Sequence, residues 1–209
     1  MKVIKFKNNK IHSFFEYFNQ RKIELLYCTI FLLGIFLGTF FSGKSLLNAF
    51  DVNVFFENFL NSRDDSRFVD VFLNTFSSGM VYLLFCYFSG MFALGGISNG
   101  LILLLKGTSL GVIMGYSYLV YGLKGVIFSV IIILPSAFIT NVTLIYAAKE
   151  SFIFSLCFFR LFTDNLLLKP IRTEFKRYCI KYIAFIFLIL FSALVDGLLT
   201  KIFFNVINL

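Results

Sequence analysis

Histidine occurs once, as His12, tryptophan is absent, and charged side chains make up only 14% of the 209 residues. Each scarcity excludes a class of protein. A soluble domain carries roughly a quarter of its residues charged, so a chain that is 59% hydrophobic with mean hydropathy +0.88 belongs in a bilayer. With its only histidine in the basic N-terminal segment, the chain has no Ser-His or Cys-His pair to place at membrane depth. An intramembrane aspartyl protease needs two carboxylates, where the apolar spans offer one clear candidate, Asp196. The four cysteines, Cys28, Cys86, Cys157 and Cys179, lack the paired spacing of a metal site, and Gly43-Lys44-Ser45 lacks the upstream glycines of a phosphate loop. The expectation is a non-enzymatic protein with no cofactor, no metal and no disulfide.

What is present is apolar helix. About 20 residues at about 1.5 Å each cross a hydrocarbon core, and residues 23–41, 77–105, 126–148 and 182–204 meet that length. The stretch 107–121 is shorter and bracketed by Lys106 and Lys124, and it reads as a further span. The basic start followed by an apolar run ends at Phe41-Ser42-Gly43-Lys44 without a small-x-small pattern, so it reads as an uncleaved first span. The fold class is therefore all-α, a polytopic membrane helix bundle of about five transmembrane helices.

Lys and Arg set the expected orientation. On a five-span arrangement fourteen of them, Lys106 included, share the side of the N-terminus and five lie opposite. Cytoplasmic loops retain the basic residues, so the N-terminus is expected inside and the C-terminus outside. The net charge of +8 is then a topology signal, with the bilayer as partner and no nucleic acid. The expected organisation is a basic cytoplasmic segment at 1–22, a first span at 23–41, an extracytoplasmic amphipathic segment at 42–76, a three-span glycine-rich core at 77–148, a basic cytoplasmic segment with an interfacial helix at 149–181, and a last span with a short tail at 182–209. The outer segment presents Phe50, Phe55, Phe59, Phe68 and Phe72 as candidate partner-binding side chains.

Within the spans, glycines recur every fourth residue at Gly34 and Gly38, at Gly96 and Gly100, and at Gly107, Gly111 and Gly115. Missing side chains let helices approach closely; packing inside one bundle is the main reading and a homo-oligomer face the other. Asp196 is costly in lipid and needs a partner or a proton. Its place toward the end of the last helix favours pairing or hydration near the interface. Asn99 and Asn141 are candidates for hydrogen bonds between helices. Pro135 removes a backbone donor and should kink its helix. Asp196 and that kink together motivate an alternative function, a small transporter or channel.

One ordered series goes beyond generic membrane helix. Gly100 to Leu105 followed by Lys106-Gly107, then Gly111 and Gly115, Gly122-Leu123-Lys124-Gly125 and Leu134-Pro135, resembles the stage II sporulation protein M family. A basic N-terminus, one span, an amphipathic segment and a membrane core, in that order, extend the likeness over nearly the whole chain. Distant relatives that carry His and Glu after the Leu-Pro differ here, where Ser136, Ala137 and Phe138 follow. The resemblance implies a membrane anchor and scaffold at the sporulation septum and engulfing membranes. Such a protein recruits stage II sporulation proteins D and P, the peptidoglycan-degrading partners, for septal thinning and engulfment in endospore formation.

Overall fold

The computed structural model describes residues 4–42, 68–92, 95–163 and 171–207, with side chains for 21–42, 68–92, 95–157 and 173–203. The described elements are helices: α1 Ile4–Ser42, α2 Phe68–Ser89, α3 Gly95–Tyr121, α4 Leu123–Phe128, a π-helical turn Ser129–Ile133, α5 Leu134–Thr163 and α6 Ile171–Ile207. Five stretches are long and apolar enough to cross a membrane: Arg21–Ser42, Phe68–Ser89, Gly95–Tyr121, Leu123–Cys157 and Thr173–Phe203. The outward side chains fit hydrocarbon. Phe36, Phe138 and Phe187 expose 67%, 68% and 67% of their surface, a disposition that water would penalise.

The closest helix contact is between α1 and α3. A Cβ on Gly34 would lie 2.6 Å from the Leu104 carbonyl oxygen, and one on Gly107 would lie 2.5 Å from that of Phe31. Gly38 meets the backbone of Thr108 and Gly111, and Gly115 meets Ser42. Residues 34, 38 and 42 thus pair with 107, 111 and 115 in ascending order, so the two helices run parallel. Parallel neighbours require α2 to return between them, which gives the alternating threading of a five-span bundle. Thr39 donates to the carbonyls of Ile35 and Phe36, and Thr108 to those of Leu104 and Leu105. These bonds satisfy hydroxyls that lipid cannot.

Two ion pairs, the first part-buried and the second exposed, join the helices at one level. Lys149 of α5 lies 2.6 Å from Glu24 of α1, and Lys181 of α6 lies 2.6 Å from Glu150 of α5. Beside them Phe154, Tyr178, Tyr182 and Tyr87 form an aromatic stack with centroids 4.5 to 5.2 Å apart. At the opposite end Gly122 adopts φ 58°, the left-handed conformation that closes α3, with its N–H donated to the Tyr118 carbonyl at 2.9 Å.

Several expected boundaries move. The second span was expected at 77–105, but α2 ends at Ser89 and a hydrogen-bonded turn follows, in which Met91 and Phe92 donate to Phe88 and Ser89 and Gly95 donates to Phe92. Averaged hydropathy is blind to a break here because the sequence from 90 to 94 reads Gly, Met, Phe, Ala and Leu. The span before it therefore starts earlier, and Phe68 and Phe72, expected in the outer segment, lie in α2. The span after it is the full Gly95–Tyr121, which puts Lys106 in mid-helix instead of a loop. The expected interfacial helix in 149–181 is instead the continuous end of α5 up to Thr163, and α6 begins at Ile171, well before the expected 182. Phe154 stacking on Tyr178 explains why this stretch packs upright against its neighbour.

The α1–α3 contact makes a sharp prediction. Gly38→Ala and Gly111→Ala should each cost about 1–3 kcal/mol, because the added methyl group meets backbone that cannot turn aside. Gly100→Ala, whose Cβ would meet only Ile30 Cδ1 at an ordinary 3.5 Å, should change stability by less than about 0.5 kcal/mol. Thermal unfolding of the purified protein in detergent checks the contrast, and equal losses at all three sites would refute it.

Candidate functional site

The buried polar side chains gather in two places. The first surrounds Pro135. Proline lacks the N–H of a regular turn and its ring clashes with the carbonyl four residues back, and the wide turn Ser129–Ile133 immediately before Leu134 accommodates both defects. Ser136 then faces α6, where its Oγ donates to the Asp196 carboxylate at 3.2 Å and, from the same hydroxyl, lies 3.1 Å from the Ile133 carbonyl. Thr75 of α2 donates to the other Asp196 oxygen at 2.5 Å. Ser192 donates to the Ser136 carbonyl at 2.6 Å and shares a 2.7 Å hydrogen bond with Thr140. Asp196 is 1% exposed, so the network stitches α2, α5 and α6 together in the interior.

Asp196 was expected near an interface, paired or hydrated. It is paired, but within the bundle, about 10 Å along α6 from Phe203. Sequence reading missed Thr75, Ser136, Thr140 and Ser192. The signal was available for Ser136 only, since the residue after an intramembrane proline sits where freed backbone groups need partners.

The second cluster clamps the α2–α3 turn. Asn99, fully buried, donates through Nδ2 to Ser151 Oγ at 2.8 Å and to the Ala148 carbonyl at 3.3 Å. Tyr27 donates to the Gly96 carbonyl, Ser155 to that of Phe92, Tyr178 to that of Tyr87 and Tyr182 to that of Ala147. Asn99 thus joins α3 to α5 through its Nδ2, while its Oδ1 has no hydrogen-bond partner within the protein. Asn141 is 5% exposed, and its Oδ1 has no hydrogen-bond partner within the protein. Among the described residues no group of three or more His, Cys, Asp or Glu comes together to hold a metal.

The remaining sequence candidates fall as follows. Gly34, Gly38, Gly107, Gly111 and Gly115 all serve the α1–α3 contact, and Gly96 lies under the Phe152 ring. Gly100 is in ordinary contact only. Phe68 covers Gly197, and the Phe68, Phe72 and Phe76 rings stack along α2. Phe50, Phe55 and Phe59 lie outside the described residues.

These features occupy the stretch of chain that the family model of Stage II sporulation protein M matches, residues 27–201. The chain belongs to the stage II sporulation protein M family. The match runs from Tyr27 in α1 to Lys201 in α6 and so includes all five spans in large part. No curated protein and no solved structure matches the chain. Family membership and five apolar helices together make this a sporulation-related, multi-pass membrane protein. The family-like motif residues carry packing: Gly107, Gly111 and Gly115 at the α1–α3 contact, Gly122 at the left-handed turn, Gly125 against the Ser117 carbonyl, and Pro135 beside the Asp196 network.

The Asp196 network predicts a graded response. Asp196→Asn keeps an acceptor for Ser136 and a polar group for Thr75, and should lower stability by less than about 1 kcal/mol; Asp196→Val takes the acceptor from Thr75 and leaves Ser136 only the Ile133 carbonyl, and should cost about 1–3 kcal/mol. SDS-titrated unfolding would read the difference. A Val variant as stable as the parent would show that the network contributes nothing.

Proposed function

We propose that the chain is a non-enzymatic membrane anchor and scaffold that recruits peptidoglycan-degrading partners, stage II sporulation proteins D and P, to the sporulation septum and engulfing membranes. There it serves septal thinning and engulfment during endospore formation. The single observation that carries this reading is the family match across residues 27–201. It is supported by the way the bundle uses its polar groups. Asp196, Ser136, Thr75 and Asn99 are committed to bonds between helices, the behaviour of staples. A transporter would need Asp196 to face a pathway, and at 1% exposure it faces its neighbours.

The orientation follows from charge. With Lys106 withdrawn into α3, thirteen Lys and Arg residues remain on the side of Glu24, Lys149 and Lys181 and five on the other. That side is cytoplasmic by the positive-inside tendency. The N-terminus is then inside, the C-terminus outside, and the connection 43–67 between α1 and α2 faces the wall. Phe50, Phe55 and Phe59 lie in that connection and offer apolar contact to extracytoplasmic partners.

Two measurements test the proposal. In a cysteine-free background, an impermeant thiol reagent should label Asn61→Cys and spare Thr173→Cys in intact cells; the opposite pattern inverts the topology. A photo-crosslinker at Phe55 should capture protein D or P during engulfment. Capture from Thr173 with none from Phe55 would overturn the assignment. Asp196→Asn with both partners correctly localised and engulfment abolished would favour the transporter instead.

A further inference from the structure

The helix α2 carries a polar stripe on a face that no other described helix covers. Asp70, Asn74, Ser77 and Ser78 are all exposed and lie at helical spacing from the outer end of α2 to its centre. Ser78 is about 15 Å from either end of the helix. There the Lys106 ammonium, reaching across from α3, lies 3.4 Å from Ser78 Oγ and 4.6 Å above the Tyr82 ring. Lys106 is about 16 Å from Gly95 and farther still from Tyr121, too deep for its stem to reach either headgroup region with ease. A cation at mid-depth is costly unless something answers it. The serine dipole and the tyrosine face are partial answers, and among the described residues no carboxylate is within ion-pair distance of Lys106.

We infer that the lipid-facing surface of α2 and Lys106 receives a transmembrane helix of a partner protein that carries an aspartate or glutamate at the centre of its span. The charge and depth of Lys106 select the carboxylate, and Asn74, Ser77 and Ser78 supply hydrogen bonds that lipid lacks. A second copy of this chain does not fit. Among the described residues its carboxylates lie elsewhere: Glu24 and Glu150 are paired at one end of the bundle, Glu174 is in the first turn of α6 beside Arg177, Asp70 is in the first turn of α2, and Asp196 is buried. Anionic headgroups do not fit either, because the ammonium is held at the bilayer centre. The inference extends the scaffold reading by giving a recruited partner a place to dock within the membrane.

The test uses the full-length purified chain in phosphatidylcholine vesicles and a synthetic polyleucine helix with one central Glu, against the same helix with Gln or Leu there. The Glu helix should bind about tenfold more tightly than the Leu helix, and Lys106→Met should erase the preference while Lys106→Arg keeps it. A benzophenone at Ser77 should capture the Glu helix, and one at Phe187 on α6 should not. Equal binding of all three helices, or a preference that survives Lys106→Met, overturns the inference. So does displacement of the Glu helix by phosphatidylglycerol, which would make the site a lipid site, or self-association of the chain that depends on Lys106. Because no wall hydrolase is present, failure here is separable from failure of the crosslink at Phe55.

Discussion

Four missing side chains hold the bundle together. Where Gly34 and Gly38 meet Gly107 and Gly111, the backbones of α1 and α3 approach to a separation that any methyl group would spoil. Lipid gives no hydrophobic drive for such association, so shape has to supply it. The parallel pairing fixes the order of the spans and brings Glu24 opposite Lys149. It also sets α3 at the height that places Lys106 against Ser78. Helices α2, α5 and α6 are joined to one another by the Asp196 network and the tyrosine stack, and to this pair through Lys149–Glu24 and Asn99–Ser151.

Much of this was legible in the residues. Hydropathy gave five spans, and of the seven regularly spaced glycines Gly34, Gly38, Gly107, Gly111 and Gly115 lie at the central contact. The misplacements share one cause. The sequence that follows Ser89 is apolar enough to read as more helix, so the boundary between α2 and α3 falls, by hydropathy, at Lys106, the next visible charge. That one displacement put Phe68 and Phe72 outside the membrane and took Lys106 out of it. The partners of Asp196 were hidden for a different reason: Thr75 and Ser136 are 121 and 60 residues from it in sequence, and only three-helix packing shows which hydroxyls face a carboxylate.

The polar inventory separates by use. Asp196 and Asn99 face inward and are hydrogen-bonded to neighbouring helices, Asp196 as acceptor and Asn99 through its Nδ2 as donor, which adds specificity of packing. Lys106, Ser78 and Ser77 lie toward the outer surface of the bundle. A protein of the stage II sporulation protein M family proposed to gather wall-degrading enzymes has reason for both kinds: an interior that does not move, and a rim that holds something else.

Disulfide trapping reads the parallel glycine contact most directly. In a cysteine-free background, Ser42→Cys with Gly115→Cys should oxidise within a single chain, since a Cβ on residue 115 would lie 3.0 Å from that of Ser42. Ser42→Cys with Gly100→Cys, about 22 Å farther down α3, should stay reduced. A Ser42–Gly115 bond formed only between chains, or the reverse preference between the two pairs, would contradict the packing on which the rest depends.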